Sequence, residues 1–174
     1  NILLANNDDA LAKDILNGLN QQISLVSDDM LAEHHWILFI NGITAYLLNN
    51  YELSIREMSK FLTEEPNNFK AISVMVQAYL KLGQRSYARD LLNRHLALIE
   101  QDLNISILLC DLYLENNKPF KCQELLKNLQ KKYSEDMRLT LLQARLFYYR
   151  QDYQAAISLL EQQQLKGENR EVDS

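Results

Sequence analysis

An all-α fold, a solenoid of stacked antiparallel helical hairpins, is predicted by three observations on this chain. Small residues recur at a fixed step of 34 positions: Ser54, Ala88, Cys122 and Ala156 form one set, and Gly42, Val76, Cys110 and Ala144 a second. Two bulkier sets keep the same step without insertion or deletion. One is Ala45, Tyr79, Tyr113 and Phe147, aromatic in three of its four members; the other is Met58, Leu92, Leu126 and Leu160. A fixed period of this length marks stacked hairpins, since no single hairpin buries its own apolar face. Finally, glycine (four) and proline (two) are scarce in 174 residues, which favours helix over sheet or loop.

The elements follow in order. Residues 1–26 read as an N-terminal helical segment, a divergent or partial repeat. Within it, Leu11, Ile15, Leu16, Leu19 and Ile23 fall at helical spacing, which predicts one amphipathic helix from Asp8 to Leu25 after the polar start Asn6-Asn7-Asp8-Asp9. Ser27-Asp28-Asp29 caps a second helix that is expected to run to about Asn49. Residues 27–165 then carry four helix–turn–helix units, with repeat boundaries at 35–68, 69–102, 103–136 and 137–170. Their internal turns are placed at Asn49-Asn50, Gly83-Gln84, Asn117-Lys118-Pro119 and Gln151-Asp152, where Asn and Gly suit a left-handed helix end. Pro119 fits a first helical turn, which needs no backbone donor, and Pro66 falls in a loop between units. The polar stretch 166–174 is expected to fray into a disordered tail.

The repeated small residues have a physical job. Antiparallel helices approach closely only where side chains are small. Val76 is therefore expected to face Ala88, Cys110 to face Cys122, and Ala144 to face Ala156. The Tyr and Phe positions are expected to fill the space between neighbouring hairpins.

Composition excludes several classes. A net charge of −5 with no basic cluster argues against a nucleic-acid partner, which needs grouped Lys and Arg. The longest apolar run, Trp36-Ile37-Leu38-Phe39-Ile40, falls far short of the roughly 18–20 residues that cross a bilayer, so no membrane insertion is expected within this segment. The chain begins at Asn1 without a methionine and reads as a fragment or a processed form. The compartment is left open: cytoplasmic by default, with a periplasmic or envelope location as the alternative. The Asn- and Ile-rich composition gives a bacterial impression.

On these residues the chain resembles the tetratricopeptide repeat (TPR) family. Ala78-Tyr79-Leu80-Lys81-Leu82-Gly83 followed by Tyr87-Ala88 carries the best match. Phe147, Asp152-Tyr153 and Ala155-Ala156-Ile157 match nearly as well in the fourth unit, and Gly42, Tyr51, Phe61 and Pro66-Asn67-Asn68 in the first. The family's early Trp is missing from units two to four. The resemblance implies a right-handed α-solenoid, a superhelix whose first helices line a concave partner-binding groove. That places Trp36, Phe39, Ile43 and Tyr46 in the groove from the first unit, and Lys70, Gln77, Leu80 and Lys81 from the second. Asp111 and Leu114 follow from the third, and Arg138, Leu141, Arg145, Tyr148 and Tyr149 from the fourth. The two-carboxylate clamp of heat-shock co-chaperones needs Lys, Asn and Arg where Phe39, Ile43, Ser73 and Ile107 stand, so an acidic chaperone tail is not the expected ligand. The helix Trp36–Leu48 is apolar nearly all round and must be covered on both sides, by its neighbours or by a partner's apolar segment.

No catalytic constellation emerges. His34 and His35 are adjacent, about 100° apart on a helix, and cannot chelate a metal as an i, i+4 pair does. No phosphate-cradling glycine loop, G-x-S-x-G or H-E-x-x-H is present. Cys110 and Cys122 are read as buried free thiols, with a disulfide as the alternative. The expected function is thus that of a non-enzymatic scaffold or adaptor, without cofactor or metal, that binds a peptide or helix of another protein. The alternatives are a chaperone of the secreted-translocator type, a recognition domain of a larger envelope or pilus assembly protein or enzyme, and a module that self-associates through the ends of its solenoid.

Overall fold

The computed structural model describes residues 2–134 and 136–172, and every regular element among them is helical. The chain divides into two compact units, Asn1–His95 and Leu96–Ser174.

The first unit contains α1 (Ile2–Ser24), α2 (Asp28–Glu33), α3 (Trp36–Leu47), α4 (Tyr51–Glu64), α5 (Phe69–Lys81) and α6 (Arg85–Arg94). Helices α3 and α4 form one hairpin and α5 and α6 the next; α1 packs on α3, and α4 on α5. Fully buried Met58, Ile72, Val76 and Leu92 form its core. The second unit contains α7 (Leu96–Ile99), α8 (Leu103–Glu115), α9 (Pro119–Lys132), α10 (Met137–Tyr149) and α11 (Tyr153–Val172). Here α8/α9 and α10/α11 are the hairpins, and α10 packs on both helices of the preceding pair. Leu109, Leu126, Leu129, Leu142 and Leu146 are fully buried between them. Each such leucine contributes about 1.5–3 kcal/mol by leaving water.

The 34-residue step is written into the backbone. Asn49, Gly83, Asn117 and Gln151 all adopt left-handed conformation, with φ of 62°, 71°, 54° and 64°. After each, an amide closes the helix end onto the carbonyl five residues back: Asn50 onto Ala45, Gln84 onto Tyr79 and Lys118 onto Tyr113 at 2.8 Å, and Asp152 onto Phe147 at 3.0 Å. This Schellman closure satisfies carbonyls that a helix end leaves open. The entering helices are capped in the same register. Asn68, Asp102 and Asp136 accept from the amides of Ala71, Ile105 and Arg138 with their side-chain oxygens.

The small positions are buried as the repeat requires. Val76, Ala88, Cys110 and Cys122 are wholly inaccessible, and Ala144 and Ala156 nearly so. The facing of Cys110 and Cys122 is direct: the Cys110 thiol donates to the Cys122 carbonyl at 3.9 Å, and both thiols are free. Gly42 approaches Met58 so closely that an added Cβ would stand 2.8 Å from the Met58 methyl carbon.

Several expectations are corrected. Helix α1 begins at Ile2 rather than Asp8, because the polar residues 6–9 contain no Gly or Pro to stop a helix. Ser27 does cap the next helix, accepting from Met30 N at 3.4 Å. That helix does not run to Asn49, however. It ends at Glu33, and His34 leaves helical geometry (φ −126°, ψ 60°) before α3 begins. The break lets His35 reach Glu65, Nε2 to Oε1 at 3.1 Å, and lie 5.9 Å from the Phe61 ring. The exit helix of the second repeat is likewise interrupted at His95, and the division between units falls there, inside repeat 69–102. Tyr79 does not simply fill an inter-hairpin gap; it stacks on Tyr87 of its own hairpin at 5.6 Å and 18°. Residues 166–172 of the expected tail continue α11 as helix, and residues 173–174 lie outside the described residues.

Candidate functional site

The two histidines beside the α2–α3 break, His34 and His35, have no metal-binding company: among the described residues no group of three His, Cys, Asp or Glu side chains gathers to hold a metal ion. Nor is any helix there long and apolar enough to cross a membrane. What the structure offers is surface, and the two units offer it differently.

In the first unit the expected groove residues are largely engaged internally. Phe39 is half-buried against Phe61, with ring centroids 5.1 Å apart, and Tyr46 leans on Tyr51 at 5.6 Å. Ile43, Gln77 and Leu80 are half-buried, while Lys70 and Lys81 are exposed. Trp36 (59%) and Leu47 (52%) remain open at the two ends of α3, so the apolar helix is covered along its middle and not all round.

In the second unit, Leu114 departs from expectation. It is buried, at 6% exposure, and is part of the core rather than of a groove. The polar residues of α8 and α10 pair across one repeat. Arg145 donates to Asp111, and Arg138 donates to Asn104 at 2.6 Å. Each pair is 34 residues apart in sequence. Tyr148 and Tyr149 are exposed on the last turn of α10, and Tyr148 meets Tyr153 edge-on at 5.4 Å.

Between α10 and α11 lies an open cleft of about 600 Å³. Its wall is apolar: Leu141, Ala144 and Tyr148 come from α10, and Tyr153, Ala156, Ile157 and Leu160 from α11, with Arg145 at the edge. The spacing explains the wall. Leu141, Ala144 and Tyr148 are i, i+3 and i+7 on one helix, and Tyr153, Ala156, Ile157 and Leu160 form the matching stripe on the other. Of the groove residues expected from the sequence, Leu141, Arg145 and Tyr148 line this cleft. Tyr149 is exposed outside the lining, and Arg138 and Asp111 belong to the polar pairs with Asn104 and Arg145. Tyr153, Ile157 and Leu160 were missed. The 34-residue register gave no signal for the cleft, since it makes Leu160 the equivalent of core residue Leu126.

A second cleft, of about 370 Å³ and more polar, lies in the first unit among Ser59, Thr63, Met75, Tyr79, Arg94 and His95. Burial, and the charge of Arg94 beside it, hold the His95 imidazole below its ordinary value and so favour its neutral form.

Capped, register-locked hairpins of this kind define an all-α helical solenoid of the TPR-like type. Among solved structures, one titled "MamA RS-1 ArsTM double mutant" is similar to this chain, at 18% sequence identity and a TM-score of 0.64, over 93% of this chain and 97% of that one. MamA is itself a TPR-like helical solenoid, and at this identity the likeness concerns the fold. No protein-family model matches the chain, and no curated protein matches it.

Proposed function

We propose that this chain is a non-catalytic interaction module, a tetratricopeptide-type scaffold or adaptor that holds a helical or peptide segment of a protein. The observation that supports this reading is the cleft between α10 and α11, where Tyr148 (66%), Tyr153 (52%), Ile157 (50%) and Leu160 (41%) leave a continuous apolar wall in water. An apolar patch edged by a charge is the form that helix-in-groove docking takes, and tyrosines are enriched among the residues that carry binding energy. The fold likeness to MamA supports the architecture and names no partner.

The test is a pull-down with wild type beside a Tyr148→Ala/Ile157→Ala variant, and beside a Leu80→Ala/Tyr149→Ala variant altered away from the cleft. Circular dichroism would establish that each is folded. A partner retained by wild type and the second variant but lost by the first supports the cleft as the site. Equal recovery by all three would remove the cleft from the function.

A further inference from the structure

The cleft has an occupied counterpart one repeat earlier in the same unit. Ala144, Tyr148, Ala156 and Leu160 stand 34 residues after Cys110, Leu114, Cys122 and Leu126. The earlier four are 0, 6, 0 and 1% exposed, whereas Tyr148 and Leu160 are 66 and 41% exposed. Helix α10 covers the earlier hairpin, packing on both α8 and α9. It buries Leu139, Leu142 and Leu146 in doing so, an aliphatic stripe at i, i+3 and i+7. The surface of α10 and α11 is therefore shaped to receive another helix with a stripe of that spacing.

This chain carries a helix with an exposed apolar line of its own, at i and i+4. On α1, Leu11 and Ile15 are 61 and 63% exposed. Gly18, at i+7 from Leu11, continues the line with nothing within 4 Å of the place its Cβ would take. A different face of α1 holds buried Ile23, and the helix packs on α3. The stripe is thus left over after α1 has docked in its own unit. Charge agrees as well. Exposed Asp14 borders the stripe, and Arg145 is the charged side chain of the cleft. The existing contact of Arg145 with Asp111 is between partly exposed groups, and exchanging such a partner costs little.

We propose that the occupant of the cleft is helix α1 of a second copy of this chain. This rests on reading the cleft as a docking surface. Since α1 and the cleft are different surfaces, the contact is heterologous: each copy offers one of each, and assembly continues beyond a dimer into rings or filaments.

The experiment is sedimentation velocity over a wide range of concentration on the full chain, with Ile15→Glu and Ile157→Glu. Both substitutions are at exposed positions; Tyr148→Glu replaces Ile157→Glu if circular dichroism shows that variant unfolded. The wild type is expected to pass beyond dimer mass as concentration rises, and each variant to stay monomeric. An equimolar mixture of the two variants is expected to double its mass and stop there, because Ile15→Glu keeps its cleft and Ile157→Glu keeps its α1. A wild type that is monomeric throughout, a variant that still assembles alone, or a mixture that stays monomeric would overturn the proposal. The docking reading is separable. If the wild type is monomeric but Ile157→Glu loses a partner that the wild type captures, the cleft remains a docking site and only its occupant was misassigned.

Discussion

Arg138 grips Asp136 with both prongs of its guanidinium, Nε to Oδ1 at 2.9 Å and Nη2 to Oδ2 at 2.7 Å. The same carboxylate caps α10, accepting from the backbone amide of Arg138 at 3.0 Å. Asp136 is therefore held ionised, and its carboxyl is lowered from an ordinary 3.8 to about 2, first by the guanidinium hydrogen bonds and then by the amide. The sign follows directly. A depressed carboxyl contributes stability above its unfolded value of 3.8, and that contribution is lost as pH falls through about 2. In Arg138→Gln the side chain that lowers the carboxyl most is gone while the backbone amide still donates, so Asp136 is expected to rise toward its ordinary value and stay below it. A carboxyl-detected NMR titration of the two proteins checks this; an unchanged Asp136 would show that the fork is not what holds it.

The four left-handed helix ends make a different prediction. Gly83 occupies such a position without strain, while Asn49, Asn117 and Gln151 adopt it with side chains present. Asn tolerates this region through local hydrogen bonding, and Gln has no such compensation. The left-handed conformation costs an ordinary residue roughly 1–2 kcal/mol, and glycine's extra chain entropy offsets part of the relief. Gln151→Gly is expected to stabilise by about 0.5–1 kcal/mol, and Gly83→Ala to destabilise by about 1 kcal/mol. Chemical denaturation of both variants decides the matter. A loss of stability in Gln151→Gly would mean that its side chain contributes something the backbone argument omits.

These ends also show what was legible in the sequence. The 34-residue step placed all four turns correctly because turn chemistry is local: Asn or Gly takes the left-handed position in three of them, and the register supplies the fourth at Gln151. The break at His34 was not legible. Neither histidine stops a helix by propensity, and the contact made beside the break, His35 to Glu65, joins residues 30 positions apart. Leu114 and Tyr148 occupy the same register position, yet one is core and the other surface. The difference is made by α10 lying over the first, which is a property of the packed unit and not of either residue. For the same reason the register equates Leu160 with core residue Leu126, although Leu160 lines the cleft.

Cys110 and Cys122 give a test of the hairpin crossing. Both are fully inaccessible, and the contact with Cys122 together with burial pushes the Cys110 thiol up. The same contact shifts the Cys122 thiol down, so its inertness rests on burial alone: a thiol that the reagent cannot reach does not react. Neither cysteine of the native protein is expected to react with Ellman's reagent over minutes, and both are expected to react in denaturant. Rapid labelling of one thiol under native conditions would mean that α8 and α9 separate at the crossing far more readily than a buried core allows.

Two glycines in helices should respond to the same substitution with opposite signs. Gly18 in α1 has open space around it, so Gly18→Ala gains helix propensity alone and is expected to stabilise by about 0.5–1 kcal/mol. Gly42 in α3 would place its new Cβ 2.8 Å from the Met58 methyl carbon and 3.0 Å from Cγ. Met58 is fully buried, so its side chain has little free room to swing away. Overpacking of this kind costs about 1–3 kcal/mol, against the same propensity gain of up to about 1. Gly42→Ala is expected to be net destabilising. The clash is with one side chain, so the sign should reverse when that side chain is cut back. Met58→Ala alone opens a cavity and destabilises, but adding Gly42→Ala in that background is expected to be neutral or stabilising. Denaturation of the four proteins of this double-mutant cycle measures the coupling directly. If Gly42→Ala costs as much with Met58 removed as with it present, the small residue at position 42 answers to the approach of the α3 and α4 backbones and not to the methionine.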